Sequence, residues 1–229
     1  MPTQPTIGIN PLNGHPVRFG VMGSASGDHD REVVQRCRVL GKSVARRGCC
    51  LLTGACPGLP QAAAFGAKDE AGHTIGISPA ISFKEHVETF NSPWQEYDVL
   101  IYTGLGFMGR ELINIRSSDI VVLVGGSSGT LGEFAIAYDE GKLIGVLTGT
   151  GGISDVMKTI ESQIHKSTGA EVIYDSDPSR LVQRLLARFL DPGYECPCHP
   201  SPDKTGKLQT DDCHCGPADG MQHTPSKDE

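Results

Sequence analysis

The chain has 229 residues, 38% of them hydrophobic, and a formal net charge of −7. That length holds one α/β domain with chain to spare, and its core is large enough to fold without disulfides. The acidic balance argues against a general nucleic-acid backbone binder, and no apolar run reaches membrane-spanning length.

Residues 1–15 are rich in Pro, Gly and Asn and read as an irregular lead-in. They lack the basic-then-apolar pattern of a secretory signal, so a soluble cytoplasmic protein is expected. From there to residue 190, short apolar runs alternate with helical patterns. Strands are predicted at 17–22, 49–53, 74–77, 99–102, 120–124, 143–147 and 172–174. Helices are predicted at 30–47, 59–71, 109–117, 130–141, 153–166 and 178–190. This alternation predicts a Rossmann-like, doubly wound, mostly parallel sheet with helices on both faces. Ligands of such sheets bind beyond the carboxyl ends of the strands.

The loops after the strands share one composition. Gly23-Ser24-Ala25-Ser26-Gly27 follows the first strand, and Gly54-Ala55-Cys56-Pro57-Gly58 follows the second. Thr103-Gly104-Leu105-Gly106 follows the fourth, and Thr148-Gly149-Thr150-Gly151-Gly152 the sixth. The fifth carries the strongest signal. Ile120 to Val124 is a continuous apolar, β-branched run, followed by Gly125-Gly126-Ser127-Ser128-Gly129-Thr130 and then Glu133. Glycines let the backbone approach a ligand closely, and the following helix start presents N–H groups and its dipole to an anion. Thr130 is expected to cap that helix, with Glu133 in its first turn and therefore easily ionised. The segment reads as a phosphate cradle built from Gly126, Ser127, Ser128, Gly129 and Thr130, flanked by Gly23, Ser24, Gly54 and Gly58.

Arg110, near the start of the helix before the fifth strand, is placed to grip a phosphate or carboxylate. Arg116 is expected away from the site, paired with Asp119 or a helix terminus. His86 reads as a surface or helix-start residue. Cys56 reads as a small packed side chain, because no base or cation stands near it in sequence. The four body cysteines, Cys37, Cys49, Cys50 and Cys56, are expected as reduced thiols. A dinucleotide-binding dehydrogenase is excluded: the first loop lacks Gly-x-Gly-x-x-Gly, and no acidic residue follows the second strand.

Residues 191–229 form a tail in which Cys196-Pro197-Cys198-His199 precedes Cys213-His214-Cys215. Cys196, Cys198, Cys213 and Cys215 could supply four thiolates to a zinc ion, with His199 and His214 as alternatives. The other reading is a disordered tail without a specific metal. The core itself calls for no cofactor.

Taken together, Gly23-Ser24-Ala25-Ser26, Thr53-Gly54-Ala55-Cys56-Pro57-Gly58, Gly76-Ile77-Ser78-Pro79 and the run from Gly126 to Glu133 resemble the LOG-like superfamily, formerly called lysine decarboxylase-like. The likeness spans roughly residues 17–190. This superfamily includes cytokinin-activating phosphoribohydrolases and molybdenum cofactor carrier proteins. The hydrolases carry Pro-Gly-Gly-x-Gly-Thr-x-x-Glu. Here Gly125 stands at their Pro and Ser127 at their second Gly, while Gly126, Gly129, Thr130 and Glu133 match. The resemblance implies Arg110 and Glu133 as a catalytic pair, but Glu111 stands where the hydrolases have Lys. The carriers are more similar in the Arg-Ser-Ser-Asp run at 116–119 and in the loop at 148–152.

Two functions follow as expectations. One is hydrolysis of the N-glycosidic bond of a nucleoside 5′-monophosphate, giving free base and ribose 5-phosphate. The other is a non-catalytic carrier or sensor of a phosphorylated pterin, similar to molybdenum cofactor, or of a nucleotide. Either way the partner is a small phosphorylated ligand rather than nucleic acid or membrane. The resemblance further implies a homodimer or tetramer.

Overall fold

The computed structural model describes residues 8–10, 13–25 and 28–194. Seven strands form one sheet in the order β4-β3-β2-β1-β5-β6-β7. These are β1 (Arg18–Gly23), β2 (Cys50–Thr53), β3 (Thr74–Ser78), β4 (Val99–Tyr102), β5 (Ile120–Val124), β6 (Leu143–Leu147) and β7 (Glu171–Asp175). Every pairing is parallel. All strand carboxyl ends therefore lie at one edge. The chain reverses its direction of winding between β1 and β5, and that switch point opens a crevice at the same edge.

The helices are α1 (Arg31–Ala45), α2 (Leu59–Asp69), α3 (Phe83–Glu88), α4 (Gly106–Ser117), α5 (Ser128–Asp139), α6 (Ile153–Glu161) and α7 (Pro178–Phe189). One core lies beneath α1, α2 and α7, with Phe19, Val122, Leu40, Leu59 and Leu185 in it. The other lies beneath α4, α5 and α6, around Met22, Leu123, Ile115, Phe134 and Met157. All five residues of β5 are buried, as its unbroken apolar run requires when both faces are covered. Caps set the helix starts. Asp30 accepts from the Glu32 amide at α1, and Asp177 accepts from the Arg180 amide before Pro178 at α7.

Several boundaries differ from those read in the sequence. Helix α3 was not foreseen, because six residues carry too short a periodic pattern. Helix α6 ends at Glu161 rather than 166. The chain leaves it through tight turns, Gln163 N–H to Ile160 O at 3.0 Å and Ile164 N–H to Glu161 O at 3.0 Å. Helix α4 begins three residues earlier than expected, at Gly106. Among the described residues, no helix is long and apolar enough to cross a membrane.

Candidate functional site

The switch point brings the glycine-rich loops of β1, β2 and β5 together. The Ser24 amide donates to the Val124 carbonyl at 3.1 Å, and the Leu59 amide donates to the Ser24 carbonyl at 2.9 Å. The first loop is thus tied to β5 on one side and to the start of α2 on the other. The loop after β4 does not join them. It lies at the sheet's far edge, bonded to Ser78, Pro79 and Ala80.

The β5 loop is pinned by its carbonyls. Gly126 O accepts from the Ile153 amide at 2.9 Å, and Gly125 O accepts from the Ser154 hydroxyl at 2.8 Å. The Gly125 amide donates to Thr150 Oγ1, which itself donates to Leu147 O. The amides of residues 126–130, by contrast, meet no acceptor among the described residues. Unpaired N–H groups at the start of a twelve-residue helix are the kind of donors that anions accept from.

The helix begins at Ser128 with Ser127 as a cap that makes no side-chain bond. Thr130 therefore does not cap it. Thr130 sits in the first turn and packs under the loop, where a Cβ on Gly126 would lie 2.0 Å from its Oγ1. With φ at +93°, position 126 demands glycine on both counts. The two-residue shift of the start also moves Glu133 out of the first turn.

Beside this loop lies a cavity of about 330 Å³, lined by Ser24, Gly126 and Thr150 and by Asp28, His29 and Asp30 from the segment before α1. Sequence reasoning missed these three acidic and imidazole residues. They follow the first loop directly, yet nothing in their spacing marks a site, and only the fold sets them against β5.

Arg110, Glu111 and Glu133 do not line the cavity. They form a cluster of their own between α4, α5 and the β2 loop. Arg110 is only 7% exposed, so it is no surface cation. Its Nη2 lies 3.7 Å from Cys56 Sγ, its Nε has no partner, and its guanidinium presses on Gly54. Asn114, one turn on, also leaves Oδ1 unpaired. Glu111 reaches α5, its carboxylate within van der Waals range of a Cβ built on Gly129 or Gly132.

Glu133 is 6% exposed. Burial pushes its carboxyl up to about 8, Arg110 opposes that shift, and Glu111 adds to it. The expectation that Glu133 ionises easily is thereby reversed, because desolvation outweighs the helix dipole. Burial likewise raises Glu111, against Arg110. Cys56 is buried and its thiol is raised by burial, with Arg110 opposing, in keeping with a packed role.

Of the two partners expected for Arg116, Asp119 is held by Arg18, and Arg116 instead pairs at 2.7 Å with Glu140, the residue at the C-terminal end of α5. A further expectation is corrected. His86 is fully buried, its Nδ1 2.8 Å from Ser78 Oγ and its Nε2 2.9 Å from Pro93 O. It fastens α3 to β3. Ser26, Gly27 and the candidate zinc ligands Cys196, Cys198, Cys213 and Cys215 lie outside the described residues. Among the described residues, no group of three His, Cys, Asp or Glu is arranged for a metal.

Comparison with known proteins places these features in context. The model of the SLOG cluster4 family matches residues 16–182. An uncharacterized protein of Archaeoglobus fulgidus is 34% identical over 131 residues, which are 57% of this chain and 80% of that protein. The structure of the molybdenum cofactor binding protein from the phototrophic bacterium Rippkaea orientalis superposes with a TM-score of 0.61 at 29% identity, covering 76% of this chain and 97% of that one. The molybdenum cofactor carrier protein of Chlamydomonas reinhardtii gives 0.58 at 31% identity, covering 76% and 99%.

Proposed function

Because the chain belongs to the SLOG cluster4 family, within the LOG-like proteins, we propose that it binds a small phosphorylated ligand at the amides of residues 126–130. The observation that carries this reading is the pinned loop with its unpaired N–H groups at the start of α5. Ligand phosphoryl oxygens would accept from those amides without any rearrangement of the backbone. The reading we favour is a carrier or sensor of a phosphorylated pterin or a nucleotide. It is supported by the two structural relatives, which bind or carry molybdenum cofactor, and by Glu111, which stands where the hydrolases carry Lys.

A second reading is N-glycosidic hydrolysis, favoured by the buried Arg110 and Glu133. Departure of a base builds positive charge on the ribose. A Glu133 that is neutral near pH 7 would act by donating a proton to the leaving base, not by offering a carboxylate to the sugar. The test is a panel of nucleoside 5′-monophosphates and a pterin monophosphate, read for binding by calorimetry and for free base by chromatography. Binding without base release is expected. Base release that Glu133→Gln abolishes would establish the hydrolase instead, and no binding to any compound would remove both readings.

We also infer that copies of the chain associate. The edge strand β4 leaves Val99 and Ile101 exposed, and nearby Ile81 and Met108 are 72% and 74% exposed. Leu105, which precedes α4, and Phe107 in its first turn are exposed as well. Several large apolar side chains exposed on neighbouring elements favour a protein partner. A second copy seated there would contact the same helix that carries Arg110 and Glu111.

A further inference from the structure

The 330 Å³ cavity touches the cradle through Gly126, but its chemistry comes from elsewhere in the chain. Its volume is near the lower end for small-molecule sites, which run about 300–1,000 Å³. One heterocycle with its attached sugar or side chain fits such a space, whereas a dinucleotide does not. Val33 gives it an apolar wall, and Asp28, His29 and Asp30 give it a polar one.

His29 Nε2 is buried and has no hydrogen-bond partner among the described residues. Leaving a buried polar atom unpaired costs free energy, which a ligand hydrogen bond recovers. Among the described residues no lysine or arginine lines the cavity, while Asp28 and Asp30 both do. Asp30 spends one oxygen on the Glu32 amide, so its carboxylate is fixed in place. Phosphoryl charge inside this space would meet two carboxylates and no cation. A neutral ring that carries N–H donors would meet acceptors. The two ends of the crevice thus want opposite ends of one molecule.

We propose that this cavity is a ring subsite, in which His29 hydrogen-bonds the heterocycle of a phosphomonoester while Asp28 and Asp30 accept from its ring N–H groups. The inference rests on the amides of residues 126–130 holding the phosphoryl group, as proposed above. Nucleoside 5′-monophosphates and pterin monophosphates share this chemistry.

The full-length protein is titrated calorimetrically with inorganic phosphate, ribose 5-phosphate, adenosine and guanosine 5′-monophosphates, and a pterin monophosphate. The heterocyclic monophosphates are expected to bind at least about tenfold tighter than ribose 5-phosphate, or about 1.4 kcal/mol. His29→Ala should cost them about tenfold and leave ribose 5-phosphate unchanged, with His29→Asn recovering part of the loss. Asp28→Asn should likewise weaken the heterocyclic monophosphates and leave ribose 5-phosphate unchanged. The stronger of the nucleotide and pterin arms identifies the source of the ring. Unchanged affinities in His29→Ala, or an equal loss for ribose 5-phosphate, would each overturn the ring subsite alone. Failure of every phosphorylated compound, inorganic phosphate included, overturns the cradle reading beneath it.

Discussion

At the scale of the residue, burial decides more than sequence position. Glu133 follows a helix start closely enough to look like an ordinary ionised first-turn glutamate, yet its carboxyl is raised to about 8 because its surroundings remove water. The folded chain therefore holds a proton that the unfolded chain has released, between the ordinary glutamate value and about pH 8. In that window the unfolded state binds fewer protons, so stability falls as pH rises. Denaturant titrations should show the wild type losing stability from pH 5 to 8 relative to Glu133→Gln. Parallel curves for the two proteins would disprove the buried neutral acid. Phosphate affinity should fall over the same range, because ionised Glu133 adds negative charge near the cradle, and Glu133→Gln should flatten that dependence. The thiols obey the same rule. Cys37 and Cys49 are raised to about 12 by burial, which leaves little thiolate and so little reactivity.

At the scale of the element, contacts between loops and helices place the groups that matter. The β2 loop and α4 meet where a Cβ on Gly54 would come within 1.9 Å of Arg110 Nη1. Gly54→Ala must displace a buried guanidinium and should cost about 1–3 kcal/mol of stability. Most of that loss should vanish in an Arg110→Ala background, a coupling that a double-mutant cycle reads directly. Simple additivity of the two substitutions would show that the contact carries no strain. The glycine was legible as a loop glycine, and Arg110 as a cation near a helix start. Their mutual contact, 56 residues apart in sequence, was not legible, since nothing local records it. The same holds for α5, whose start two residues early makes Thr130 a packing residue and not a cap, and whose packing buries Glu133, read as an easily ionised first-turn acid.

At the scale of the whole molecule, the apolar surface along β4 and α4 points to self-association. Sedimentation velocity of the wild type should give a dimer or larger species. Met108→Glu, at an exposed helix position, should shift it toward monomer and remove the dependence of the denaturation midpoint on protein concentration. A monomeric wild type would end that inference. By itself the sequence determined the alternating elements, the parallel sheet and the glycine-rich β5 loop, because each is written in local periodicity and in residues that only turns and strands favour. The tertiary structure alone decided that β1 neighbours β5, that the Asp28, His29 and Asp30 segment walls a cavity beside the loop, and that Arg110 and Glu133 are buried. Burial, and with it charge state and partner, depends on which distant segments exclude water from a side chain, and that is a property of packing rather than of sequence neighbourhood.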